Sequence, residues 1–109
     1  MKDDRIYFGH ILEATNKILT YTTAGYENFA GDSKTQDAVI RNFEIIGEAA
    51  GKISDVARLQ YPEMPWKAVI GLRNILIHDY AGVDLNRVWD IIKNHLPSLK
   101  ATVEKILHN

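Results

Sequence analysis

The sequence predicts an all-α domain, an antiparallel bundle of four to five helices that takes in residues 1–109 as one unit. Three observations predict it. Apolar residues recur at three- and four-residue intervals through most of the chain, the spacing of a helix buried on one face. The interruptions are short clusters of Gly, Pro, Asn, Asp and Ser, so neighbouring helices are joined by short connections and run antiparallel. No segment alternates like a half-buried strand, and no repeat or low-complexity tract competes.

From about Asp4 to Tyr21 the stripe is Phe8, Ile11, Leu12, Ile18 and Leu19, a first helix packed on one face. Thr22 to Asp32 carries Gly25, Asn28, Gly31 and Asp32 and loses the period, which predicts a loop. Ser33-Lys34-Thr35-Gln36 has the form of a capping box, so a second helix is expected to start at Ser33. It should run to about Ile53 with Val39, Ile40, Phe43, Ile46, Ala50 and Ile53 inward. Gly47 and Gly51 lie four apart in it. Each costs helix stability by roughly 1 kcal/mol relative to alanine, so close approach of another helix is the expected reason for them.

Ser54 and Asp55 can cap a short continuation through Leu59 that Pro62 ends. Pro65 suits the first turn of a third helix with Trp66, Val69, Ile70, Leu72, Ile75 and Leu76, stopped by Ala81-Gly82. Asp84 can cap a fourth with Val88, Trp89, Ile91, Ile92 and Leu96. Pro97 should kink it or open a new segment, along which Leu99, Val103, Ile106 and Leu107 carry the apolar face onward.

At 109 residues and 46% hydrophobic content the chain can build one core without staples. It has no cysteine, which removes disulfides, thiolate metal sites and a cysteine nucleophile together. No apolar run reaches the roughly 18 residues of a membrane span, and Met1 to Arg5 leads straight into the amphipathic pattern, so the expected compartment is the cytoplasm. Thirteen basic and 14 acidic side chains give a net charge of −1. Such a balance excludes a protein that coats nucleic acid and leaves room only for a local or transient polyanion site, or one pooled in a dimer cleft.

The bundle does not need the polar residues Arg73, Asn74 and His78, which interrupt an apolar helix. Asn74 and His78 are four apart and share a face, so the amide could orient the imidazole. Arg73 and His78 are five apart, about 140° around an unbroken helix. A shared site then needs the arginine to sweep round, the helix to loosen towards Gly82, or a second copy to bring its own pair across a two-fold axis. Chemically the pair suffices for metal-independent RNA cleavage. The 2′-hydroxyl would attack, His78 would act as general base or as acid for the leaving oxygen, and Arg73 would stabilise charge developing on phosphorus. The alternative is that both are the polar edge of a core helix.

The string RNILIHDY (73–80) resembles the R-N-x-x-x-H-x-Y motif of HepT-like toxins, a branch of the HEPN ribonucleases, and QDAVIRNFEIIGEA (36–49) resembles the preceding helix of that family. The resemblance covers the whole chain in length and helix order. It implies a HEPN-like bundle forming a two-fold homodimer, with Arg73 and His78 catalytic and Asn74 the polar residue beside the arginine. It also implies that Tyr80 is the tyrosine adenylylated, and so silenced, by a partner nucleotidyltransferase antitoxin of the MNT type in a type VII-like toxin–antitoxin system. An adenylyl group two residues from His78 would put bulk and negative charge where an RNA phosphate must bind. Without that resemblance, Tyr80 reads as an aromatic that packs the helix end with its hydroxyl in water.

Arg41 and Asn42 are further candidates for RNA contact, against surface pairing of Arg41 with nearby acids. Glu44 and Glu48 lack the Glu-x-x-His partner of a carboxylate metal site, and His10, His95 and His108 stand without a partner at ligand spacing, so no metal and no cofactor is assigned. Trp66 and Trp89 are expected core anchors. Two other functions compete with the ribonuclease: a catalytically weak binding module that serves as docking partner and substrate of a nucleotidyltransferase, and a plain helical interaction protein.

Overall fold

The three- and four-residue periodicity becomes seven helices and no strand among the described residues: α1 (Lys2–Tyr21), α2 (Tyr26–Gly31), α3 (Ser33–Lys52), α4 (Asp55–Gln60), α5 (Trp66–His78), α6 (Leu85–Asn94) and α7 (Leu96–His108). The structure is a computed structural model describing residues 2–78 and 84–108, without the side chains of Lys2 and residues 75–78. Five helices are long, and α2 and α4 have six residues each, so the bundle of four to five main helices stands. Among the described residues no helix is long and apolar enough to cross a membrane.

The inward stripes meet in one core. Phe8, Ile11 and Ile18 of α1, Val39, Phe43, Ile46 and Ala50 of α3, Val88 and Ile92 of α6, and Leu96, Val103 and Ile106 of α7 are buried together. Helix α3 packs between α1 and α5, α7 lies on α1, and α6 on α7.

Hydrogen bonds between segments far apart in the sequence show the antiparallel arrangement. At the start of α1 the buried Asp4 carboxylate accepts from the Ser54 N–H (2.8 Å) and hydroxyl (2.7 Å), just past the end of α3. The backbone bond is the main reason that the Asp4 pKa is lowered, with the hydroxyl adding to it against the opposing effect of burial. Nearby, Arg5 donates to the Leu107 carbonyl at the end of α7 (2.6 Å).

Local signals set most helix ends. The Ser54 hydroxyl accepts from the Ala57 N–H (3.1 Å) and caps α4. Asp84 accepts from the Asn86 (3.0 Å) and Arg87 (3.3 Å) N–H groups and caps α6. Pro97 opens a new helix rather than kinking the old one: α6 ends at Asn94, and proline in the first turn of α7 has no N–H to leave unpaired. The expected stop at Ala81-Gly82 lies outside the described residues.

Two expectations are corrected. The segment predicted as a loop contains α2, because Phe29, fully buried, stacks on Trp89 (centroids 5.6 Å apart), and Tyr26 packs edge-on to the same indole while its hydroxyl bonds Asn86 Oδ1 (2.9 Å). Gly25, at φ 96°, takes the left-handed backbone that admits the chain to α2. The cap of α3 is Asp32, not Ser33: its carboxylate accepts from the Lys34 N–H (3.1 Å) and the Thr35 hydroxyl (2.8 Å). No Ser33–Gln36 box forms, since the Gln36 amide donates instead to the Phe29 and Ala30 carbonyls at the end of α2, 3.0 Å to each.

Candidate functional site

Helix α5 carries the residues singled out for chemistry, and its beginning is tied to the end of α3. Trp66 donates its indole N–H to the Tyr61 carbonyl (3.0 Å). Arg58 lies over the Trp66 ring, 6.0 Å from its centroid, and donates to the Gly51 carbonyl (3.0 Å), one of the acceptors that the end of α3 leaves open. One face of α5, with Pro65, Ala68, Val69 and Leu72, walls an apolar groove of about 530 Å³. Its other walls are Ile91 of α6 and Leu96 and Leu99 of α7, with Arg87, Asp90 and His95 adding polar groups to the lining.

Another side of α5 meets α3 at Gly47. A Cβ placed on Gly47 would stand 2.7 Å from both the backbone N and the Cβ of Arg73, and 3.1 Å from its Cα. This is the close approach that the glycines predict. It holds for Gly47 alone, because a Cβ on Gly51 would meet nothing within 4 Å.

From that contact Arg73 emerges exposed, and Asn74 beside it is exposed too. Arg73 forms no hydrogen bond or ion pair with any described residue, whereas Glu44, on the neighbouring turn of α3 from Gly47, is engaged by Arg41 at 3.4 Å. The guanidinium is thus available to an external anion. Helix α5 is unbroken through His78, which removes loosening of the helix before that residue as a way to bring the pair together. Arg73 and His78 are set about 140° apart around the axis and about 7.5 Å along it, while Asn74 and His78 share a side. The His78 side chain and Tyr80 lie outside the described residues.

The structure does not bring Arg41 and Asn42 to Arg73. They sit about 120° and 140° around α3 from Gly47. Arg41 is exposed and paired with Glu44. Asn42 is only 7% exposed, donates to the Ala38 carbonyl of its own helix (2.8 Å), and lines a recess between α1 and α3 with His10, Glu13 and Lys17. Trp66 and Trp89 are partly buried against the core, as expected of anchors. His95 is exposed, 3.7 Å from the exposed carboxylate of Asp90. Among the described residues, no three His, Asp or Glu side chains gather closely enough to hold a metal ion.

The family model described as ribonuclease HepT-like matches residues 11–106. The chain belongs to this family. It is 40% identical, over 94% of its length and 95% of the relative's, to a candidate RNase of Methanocaldococcus jannaschii. It is 43% identical, over 92% of each chain, to the "Probable ribonuclease HepT" of Thermococcus cleftensis. A candidate RNase of Caldanaerobacter subterraneus is 34% identical over 98% of this chain and 96% of its own. No solved structure matches. As a HepT-like chain it is a member of the HEPN ribonuclease group, and the seven helices and lack of strands among its described residues are those of an all-α bundle.

Proposed function

We propose that this HepT-like chain is a metal-independent endoribonuclease toxin whose site is assembled from α5 of two copies. The observation that carries the reading is the state of Arg73: exposed, without an ionic partner among the described residues, and held at a tight helix contact in a chain of this family. A salt bridge to α3 would have consumed the charge, and Glu44 is occupied by Arg41 instead.

A continuous helix keeps Arg73 and His78 of one chain on different sides, so a two-fold axis running past α5 supplies the convergence that one chain lacks. In that cleft one His78 takes the proton of the RNA 2′-hydroxyl, whose oxygen attacks the adjacent phosphorus. The P–O5′ bond breaks, and the departing 5′-oxygen receives a proton from the second His78 acting as acid. Products are a 2′,3′-cyclic phosphate and a 5′-hydroxyl. Arg73 donates its planar fork to the non-bridging oxygens, where charge grows in the transition state. Asn74 shares a side of α5 with His78 and serves to orient the ring. Arg41, paired with Glu44 and turned away from Arg73, and Asn42, whose amide is spent inside α3, are left out of this site.

Tyr80 is the control point in this reading. Its phenolic oxygen attacks the α-phosphorus of ATP in the active site of a nucleotidyltransferase antitoxin, pyrophosphate leaves, and the added phosphodiester carries negative charge and bulk to the mouth of the site.

The decisive experiment is cleavage of cellular RNA in excess chelator. Wild type cuts, while Arg73→Ala and His78→Ala lose at least 100-fold in rate with folding and dimer mass intact; equal rates in all three proteins would refute the assignment. With the antitoxin enzyme and ATP, wild type gains the mass of adenylyl groups and stops cutting. A Tyr80→Phe protein that is still modified and silenced would remove that tyrosine from the scheme.

A further inference from the structure

We infer that Gly47 is a positioning residue for Arg73, and so a determinant of cleavage rate although it lies on a different helix and has no side chain; this rests on the ribonuclease reading above. The atoms that leave no room for a Cβ at Gly47 are the N, Cα and Cβ of Arg73. None is the far end of a flexible chain that could swing aside. All three define where the arginine side chain starts and in which direction it leaves α5.

Ordinary contact begins near 3.4 Å, against the 2.7 Å that two of these atoms would show, so a methyl group forces α5 back by about 0.7 Å at Arg73. Transition-state stabilisation by a guanidinium falls steeply with such a displacement: an error of about 1 Å in a catalytic group can cost 100-fold. The contact is also specific in register. Gly51, one turn further along α3, has nothing within 4 Å of a built Cβ, so the sequence keeps glycine at both places while only one abuts the catalytic arginine.

The test measures kcat and KM for RNA cleavage by wild type, Gly47→Ala and Gly51→Ala, each also in an Arg73→Ala background, with circular dichroism to establish folding. Expected are a 10- to 100-fold loss of kcat in Gly47→Ala with KM within about threefold of wild type, and unchanged kinetics in Gly51→Ala. The Gly47→Ala effect should also vanish once Arg73 is alanine, since the group being displaced is gone. A fully active Gly47→Ala protein, or the same fold-loss in the Arg73→Ala background, overturns the inference. So does a Gly47→Ala chain that does not fold, because the contact would then hold up the bundle and not one side chain. In a folded variant, the Arg73 backbone amide provides a second reading: its NMR signal shifts if α5 moves there, and an unshifted signal also overturns the inference. Should Arg73→Ala itself cut RNA at the wild-type rate, it is the ribonuclease assignment that fails, a separate result.

Discussion

Replacing Gly47 by alanine adds one methyl group where Arg73 leaves it no room, and the energetic consequence can be set against the same change at Gly51. In a helix interior alanine is favoured over glycine by about 1 kcal/mol. Gly51 lies at the next-to-last position of α3 with open space around it, so Gly51→Ala realises part of that gain, about 0.5 kcal/mol. At Gly47 the same gain is set against overpacking, typically about 1–3 kcal/mol, because the clash at 2.7 Å is with backbone and Cβ atoms. The net is a loss of about 0–2 kcal/mol, small against the roughly 5–15 kcal/mol that holds a domain folded. For a chain of 109 residues each kcal/mol moves the melting temperature by about 4 °C. Thermal unfolding followed by circular dichroism should show Gly51→Ala about 2 °C above wild type and Gly47→Ala as much as 8 °C below. Urea titration should agree without a change in slope. A Gly47→Ala protein that melts at or above Gly51→Ala would refute the claim that Gly47 is a forced close approach.

Three other perturbations test the frame around the site. Because Ser54 lowers the pKa of Asp4, its contribution is complete above the ordinary carboxylate value near 3.8 and is lost as pH falls through the lower folded value. Asp4→Asn should remove about 1.5–3 kcal/mol at pH 7 and flatten the acid limb of a stability–pH curve, and an unchanged acid limb would contradict it. Phe29→Ala should cost about 3–5 kcal/mol and unpack Trp89, seen as a red shift of tryptophan fluorescence. Asp84→Ala removes the acceptor of two N–H groups at the start of α6 and should cost about 1 kcal/mol in urea unfolding.

How much was legible in the sequence varies with the range of the interactions involved. The long helices and the caps at Ser54 and Asp84 follow from residues within a turn or two of one another, and they appear where the pattern puts them. Helix α2 was hidden for the opposite reason. Six residues cannot sustain a helix through their own hydrogen bonds; this one exists because Phe29 and Tyr26 find Trp89, about sixty residues further along. Helix α3 does start at Ser33 as the sequence suggests, but the same contact explains its misread cap: Gln36 turns its amide to the end of α2, and Asp32 takes the capping role.

Along α5, the sequence by itself determined that Arg73, Asn74 and His78 lie on one helix, and therefore that Arg73 and His78 are set apart while Asn74 sides with His78. Backbone hydrogen bonding fixes that relation locally, whatever surrounds it. Only the tertiary structure decided which of two equivalent glycines meets α5, that Glu44 is taken by Arg41 while Arg73 finds no ionic partner among the described residues, and that Asn42 turns into the α1–α3 side. Those outcomes depend on which faces of distant helices are buried against each other. Burial is settled by the packing of the whole core, not by any one segment's spacing.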